Sequence, residues 1–565
     1  MTYPWLSLYP KEVNPTIDLS EYDSVMDLLE KSLQKWGDKT AFINMGKSLS
    51  FAQVDKLSKQ FAAYLQNECG VKKGDRVAIQ MPNCLQYPVI MFGAVRAGAI
   101  VVNTNPLYTP GEMAHQFKDS GAKVLIIMAN FASNLEKILD QTKIETVIIT
   151  KLGDMLGGLK GGIVNFVVKN VKKMVPSYSL PQARSFKSCL SAGASMSYTR
   201  PDIDLEDVAF LQYTGGTTGV SKGAMLSNKN IIANMLQIFE WKKPCLEEGI
   251  ETVITALPLY HIFALTVNCL AMLKLGAVNI LIVNPRDMKA FIGEMKKYPF
   301  SVITGVNTLF NGLLNQEAFR ALDHTALKVS VGGGMAVQKA VAEEWLKVTG
   351  CTLVEGYGLT ESSPVLTCNP TDGSLQLGTI GIPVSSTEIS IRDDDGNEVP
   401  DGEPGEIWGR GPQVMKGYWE RPEATAATMS GDWLKTGDVG QLIETGFFKI
   451  VDRKKEMVCV SGFNVYPNEV EEAISKNPRV LEVGVIGVPD PRSTEVVKAF
   501  VVKKDPSLTE EDVIEHTKEF LTGYKRPKKV EFVDELPKSN VGKILRRLLK
   551  EADQKNHPEV WKEQG

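Results

Sequence analysis

The stretch Asp207–Leu226, DVAFLQYTGGTTGVSKGAML, concentrates the residue types that handle phosphate. A short apolar run of strand formers, Val208–Tyr213, leads into Thr214, Gly215, Gly216, Thr217, Thr218, Gly219, Val220, Ser221, Lys222 and Gly223. Glycines let the backbone take positive φ and approach a ligand closely. Successive N–H groups and hydroxyls donate to phosphate oxygens, and Lys222 adds a mobile charge. The competing reading is a flexible turn between a strand and a helix. Three threonines, a serine and a lysine among four glycines favour the phosphate cradle. The order Ser221-Lys222-Gly223 is not the Gly-Lys-Ser/Thr of a Walker loop, which disfavours a GTPase or motor protein.

Two further stretches bear on chemistry. Thr252–Leu273 runs 22 residues without a formal charge, long enough to span a bilayer. Pro258, His261 and Asn268 interrupt it, so it reads as the wall of a buried apolar pocket. Between Asp154 and Asp202 there is no acidic residue, while Lys160, Lys169, Lys172, Lys173, Arg184, Lys187 and Arg200 fall inside. There, Ile163–Val175 places Ile163, Val164, Val167, Val168, Val171, Met174 and Val175 on one helical face and Lys169, Lys172 and Lys173 on the other. Such a helix lies on an anionic bilayer, or packs on its own domain with a solvated lysine face.

The elements that must position these residues follow from pattern. A chain of 565 residues needs more than one core. Helices are expected at Ser24–Trp36, Phe51–Cys69, Pro88–Ala97 and Pro110–Ser120. Strands are expected at Gly74–Gln80, Ala99–Asn103, Lys123–Met128 and Thr146–Thr150. This alternation predicts βα units and largely parallel sheets. Ser177–Ala194 reads as an irregular connection. Further strand candidates, Thr252–Leu257, Ser301–Gly305, Lys328–Val331 and Thr352–Glu355, precede loops of the kind where open α/β sheets bind ligands. From Gly378 short strands and turns predict a barrel-like subdomain. Beyond Asp452 a small α+β domain is expected. The formal charge of −4 gives no reason to expect nucleic acid. Eight scattered cysteines without a CxxC pair, and no basic-then-apolar leader, predict reduced thiols in the cytoplasm.

Seven motifs in order carry a resemblance: Tyr213–Gly223, Pro258–His261, Gly356–Glu361 (GYGLTE), Trp433–Asp438 (WLKTGD), Phe448–Met457 (FKIVDRKKEM), Ser461–Glu469 (SGFNVYPNE) and Pro537–Arg547 (PKSNVGKILRR). Together with VVNTNPLYTP at 101–110, the chain resembles the long-chain fatty acyl-CoA ligases of the adenylate-forming superfamily. The resemblance implies a large α/β domain, 1–451, that binds AMP and the acyl group, and a mobile lid, 452–565, that carries a catalytic lysine. It implies ATP-dependent activation of a long-chain fatty acid to acyl-CoA through acyl-AMP, with release of pyrophosphate and AMP, ahead of fatty-acid β-oxidation. ATP, Mg²⁺ and coenzyme A are the implied cofactors and co-substrates.

Residue roles follow from the same resemblance. Thr214, Thr217, Thr218 and Lys222 fit the β- and γ-phosphates, Thr360 the α-phosphate, and Glu361 a Mg²⁺ ligand, which suits a hard oxygen donor. Asp438 and Arg453 fit the ribose; Gly333, Gly334 and Tyr357 fit the adenine slot. Lys543 is the expected catalyst of acyl-AMP formation, Asp452 the hinge, and Gly462-Phe463 part of the pantetheine path. His261 matches the pocket histidine beside the acyl carboxylate, with a satisfied core histidine as the alternative. Phe263, Leu265, Val267 and Leu270 are expected to wall the acyl tail, with Gly305–Leu314 extending that wall. An amino-acid-activating relative would need a carboxylate between Thr252 and Leu273, where none stands. The rivals are an acyl-AMP ligase serving a carrier protein, a non-catalytic lipid-binding protein at the membrane surface, and a luciferase-like oxidative relative. The basic helix predicts peripheral association with the inner face of the membrane. A homodimer is compatible with the sequence.

Overall fold

The computed structural model describes residues 3–214, 221–539 and 542–561. Two largely parallel sheets dominate residues up to about 385. One has seven strands, with Val124–Met128 and Arg76–Gln80 at its centre and the Val208–Thr214 strand next to its edge. Every residue of Val124–Met128 is buried, as expected for a strand covered by helices on both faces. The other has nine strands. Its parallel core joins Thr252–Thr255, Val302–Gly305, Val329–Gly332 and Leu353–Gly358 side by side. Helix ends follow local chemistry. At Pro110–Ser120, Thr109 and Glu112 form a capping box, Pro110 takes the first helical position, and Gly121 at φ +59° ends the helix.

From Glu388 to Arg453 five strands form an antiparallel sheet, where the barrel-like subdomain was expected. Beyond it, residues 458–532 supply a second five-stranded sheet with its own core of Val458, Val465, Val485, Ala499 and Val501. Asp452 lies inside the strand Phe448–Arg453 and pairs with Val439, so the chain leaves the large domain along a hydrogen-bonded strand rather than a free linker.

The structure corrects several expectations. The phosphate-type loop joins two antiparallel strands, Val208–Thr214 and Lys222–Ser227, with Thr214 opposite Lys222; the following helix begins only at Asn228. Ser177–Ala194 contains the short strand Arg184–Ser185 and a helix, Phe186–Gly193, anchored by buried Phe186 and Cys189. The basic helix starts earlier than expected, at Gly158, passes into a wider turn at Val167–Val171, and ends before Lys173, whose φ is +51°. The last helix near Lys543 begins at Arg546, because Ile544 pairs with Lys538 instead. Among the described residues no helix is long and apolar enough to cross a membrane. The uncharged Thr252–Leu273 segment is a buried strand, turn and helix of the large domain.

Candidate active site

One cavity gathers several of the residues singled out in the sequence, while Lys222, Glu361, Asp438 and Arg453 are not among its lining residues. His261, Gly333, Gly334, Tyr357, Thr360 and Lys543 line one part of it. They arrive from the carboxyl ends of neighbouring parallel strands and, for Lys543, from the far end of the chain. Side chains on the Asn83, Tyr87 and Gln212 positions fix the His261 turn: Asn83 Nδ2 donates to the Thr255 and Leu257 carbonyls, Tyr87 to Leu259 and Gln212 to Tyr260. The Phe263 N–H donates to His261 Nδ1 at 3.3 Å, which leaves the ring proton on Nε2. Burial first, and the Lys543 charge second, push the imidazole down to about 3, so it is neutral at physiological pH.

Glycine is required where surfaces meet. A Cβ on Gly333 would sit 3.1 Å from both the Gly356 carbonyl and the Phe263 ring, and one on Gly358 only 1.8 Å from the Pro364 carbonyl. Gly334 holds φ +77° beside the Lys543 side chain. Tyr357 donates to Asp438 at 2.8 Å, and Arg453 Nε lies 3.3 Å from the same carboxylate. Burial raises the Asp438 carboxyl, opposed by the charge of Arg453 and by the Tyr357 hydroxyl. Burial also draws the Lys543 ammonium down to about 8, with the Arg453 charge acting the same way; Asp438, Glu361 and Glu456 oppose it. The amine therefore faces a mixed field poised for an anionic ligand.

Glu361 is buried, and Tyr418 donates to its Oε1 at 2.6 Å. The Lys222 ammonium sits 4.5 Å from the centre of the Tyr418 ring. Tyr418 thus touches both a candidate metal carboxylate and the lysine of the phosphate-type loop. Sequence reasoning passed over it, although it stands in the segment MKGYWERP at 415–422. Glu355, two residues before Tyr357, was also passed over. Burial pushes its carboxyl up to about 8, while it accepts a hydrogen bond from Val337 N–H.

Tyr213 is buried in its strand, donates to Asp119 at 2.8 Å and packs its ring over Gly223, so it supports the hairpin. Gly215, Gly216, Thr217, Thr218 and Gly219 lie outside the described residues. Gly462, at φ +84°, and Phe463 are exposed on the small domain and do not line the cavity. Phe463 stacks on exposed Tyr524 at 4.9 Å, beside Lys525 and Arg526, a pairing the sequence did not announce. Asp452 is fully buried. Its Oδ2 accepts from Asn468 N–H, and Arg546 approaches its Oδ1 at 3.5 Å.

The rest of the cavity is mainly apolar, with Lys242, Thr304 and Thr371 as its polar members. Phe263 and Val267 wall it as expected; Leu265 and Leu270 are fully buried in the core but do not line it. Val302, Val329, Val331, Trp241 and Cys245 replace them. Val329 and Val331 of the strand Val329–Gly332, and Gly333 just after it, line the cavity over about 13 Å at the usual strand rise. The helix Asn307–Leu314 does not line this cavity.

Comparison with known proteins follows this geometry. The family model described as "AMP-binding enzyme" matches residues 29–419, and "AMP-binding enzyme C-terminal domain" matches 469–543. The chain is 56% identical over 547 residues to a long-chain-fatty-acid–CoA ligase of Escherichia coli O6:H1, covering 97% of this chain and 98% of the relative. It is 52% identical to the enzyme of the same name in Haemophilus influenzae, covering 98% and 99%. Among solved structures it resembles an anthranilate CoA ligase in complex with anthranoyl-AMP, at TM-score 0.85, 26% identity and coverage of 96% and 99%. It also resembles ATP-bound MatB from Rhodopseudomonas palustris, at TM-score 0.80, 29% identity and coverage of 94% and 99%.

Proposed function

The chain belongs to the AMP-binding enzyme family, and from that premise we propose that it is a long-chain fatty acid–CoA ligase that works through acyl-AMP. The observation that supports the reading is that Lys543 lines the same cavity as His261 and Gly334 and as the apolar residues Phe263, Val329 and Val331. A fatty acid laid along the strand Val329–Gly332 puts its carboxylate among His261, Gly334 and Lys543. Each methylene it buries contributes about 0.8 kcal/mol. Neutral His261, with its proton on Nε2, is a donor for that carboxylate.

Acyl-AMP formation joins a carboxylate oxygen to the α-phosphorus of ATP and breaks the bond to the leaving pyrophosphate. Two anions must meet, so the protein supplies cations and donors fixed in advance. Lys543 holds the carboxylate and the α-phosphate together. Lys222, steadied over Tyr418, faces the outer phosphates, and Thr360 donates to the α-phosphate. Asp438 and Arg453 take the ribose, while Gly333 and Tyr357 flank the base. Glu361 fits Mg²⁺, being a buried carboxylate with one oxygen oriented by Tyr418. The ion, when bound, neutralises charge on the phosphates. In the second half-reaction the coenzyme A thiol attacks the acyl carbon and AMP leaves. For that step the small domain turns about Asp452 and brings the Gly462-Phe463 segment towards the cavity.

A steady-state panel from hexanoic to octadecanoic acid, following AMP release, tests the reading. Release that needs both coenzyme A and a long-chain acid supports it. Turnover with a carrier protein but not with coenzyme A, or fatty acid binding without ATP consumption, would replace it with a rival.

The membrane surface is the second part of the proposal. Leu159 and Phe166 are 83% and 61% exposed, and Ile163 and Val171 are exposed beside them. Leu159, Ile163 and Phe166 recur at helical spacing on one face, with Lys169 and Lys172 exposed nearby. An apolar ridge with a basic flank suits shallow insertion into an anionic bilayer.

A further inference from the structure

The segment Gly305–Leu314 was expected to extend the acyl wall. Its helix instead meets the small domain. Thr308 Oγ1 donates to the Gly542 carbonyl at 3.0 Å, and Asn311 Nδ2 donates to the Leu481 carbonyl at 3.1 Å. The two donors stand three residues apart, hence on one helix face. One reaches the residue before Lys543; the other reaches the neighbouring end of the strand Val480–Asp490.

The contact is close and shaped. Gly542 holds φ +85°, and a Cβ there would lie 2.7 Å from Thr308 Oγ1 and 3.0 Å from a Val306 methyl. On the lid side the described residues around Lys543 are tied to one another: Ser539 N–H donates to the Lys543 carbonyl, Gly542 N–H to the Ser539 carbonyl, and Ile544 pairs with Lys538. On the other side Asn307 Oδ1 accepts from Gln338 N–H, which ties the helix start to the segment after Gly334. Both bonds run from side chains of the large domain to main-chain carbonyls of the small one. Neither bond involves a residue of the strand Phe448–Arg453, so the proposed turn of the lid about Asp452 would break both.

We infer that Thr308 and Asn311 are positioning residues that latch the lid with Lys543 inserted, and that they act in acyl-AMP formation but not in thioester formation. The inference rests on the ligase reading above. It assigns the latch to one of the two half-reactions.

The test separates them. Thr308→Val keeps shape and removes the donor; Asn311→Leu does the same; the pair is combined. Acyl-AMP formation is followed as single-turnover pyrophosphate release from palmitate and MgATP without coenzyme A. Thioester formation is followed from supplied palmitoyl-AMP and coenzyme A. Each lost bond is expected to slow the first reaction about three- to tenfold, with the second unchanged or faster. Thr308→Ser, which keeps the hydroxyl, restores the first reaction. Equal loss in both reactions, or no loss in the first, overturns the latch. If the unaltered protein forms no acyl-AMP from any acid, the ligase reading itself fails, and that outcome is seen before any variant is made.

Discussion

At Lys543 burial and the Arg453 guanidinium pull the ammonium down to about 8, while Asp438, Glu361 and Glu456 restrain the fall. The amine is charged below that pH and loses its proton as pH rises through it. The charged form is the one that holds a carboxylate against a phosphate. Accordingly, kcat/KM for ATP in acyl-AMP formation, which reports the free enzyme, should decline above about pH 8. Lys543→Arg, if it retains activity, should move that limb to higher pH. A profile flat from about pH 7 to 10 in the unaltered enzyme would contradict the assignment. The types and order of Glu361, Asp438, Arg453 and Lys543 were legible in sequence because each sits in a motif. Tyr418 and Glu355 were not. Their partners, Glu361 and Val337, stand 57 and 18 positions away, and an isolated Tyr or Glu carries no sign of such a partner.

Elements were read well where local rules decide them. The helix Pro110–Ser120 and the strand Thr146–Thr150 were read to the residue; the first is bounded by its caps, the second sits in a β-branched run. Reading failed where tertiary partners decide. Helix 186–193 is short and packs across the fold: Phe186 and Cys189 are buried, and a Cβ on Gly193 would lie 2.0 Å from the Gln60 carbonyl. Segment 305–314 was expected to extend the acyl wall; its apolar residues Leu309, Phe310, Leu313 and Leu314 pack instead into the large domain's core beside Trp345, and its polar Thr308 and Asn311 meet the small domain. Arg546 gives a similar case. It reaches Asp452, Glu456, Asn468 and Glu471, so one guanidinium bundles three carboxylates around the expected hinge. Sequence shows it only as one cation in a basic tail. The cluster explains why Asp452 stays buried, although burial lifts its carboxyl to about 6.

For the whole molecule, the small domain has hydrophobic clusters of its own, separate from those of the large domain, as the proposed turn about Asp452 requires. The exposed apolar residues Leu159, Ile163, Phe166, Val171 and Met174 form the face that the membrane proposal assigns to lipid. Replacing Lys169, Lys172 and Lys173 with glutamine, or Leu159 and Phe166 with serine, should reduce cosedimentation with anionic vesicles about tenfold or more and leave turnover of dispersed acids intact. Unchanged sedimentation of both variants would remove the membrane proposal. The central claim is that one lysine on the lid serves one chemical step. The most direct measurement compares Lys543→Ala with the unaltered protein in both half-reactions. Acyl-AMP formation should fall at least about a hundredfold, while conversion of supplied acyl-AMP and coenzyme A to thioester stays within about threefold. Equal loss in the two, or acyl-AMP formation at an undiminished rate, would contradict it.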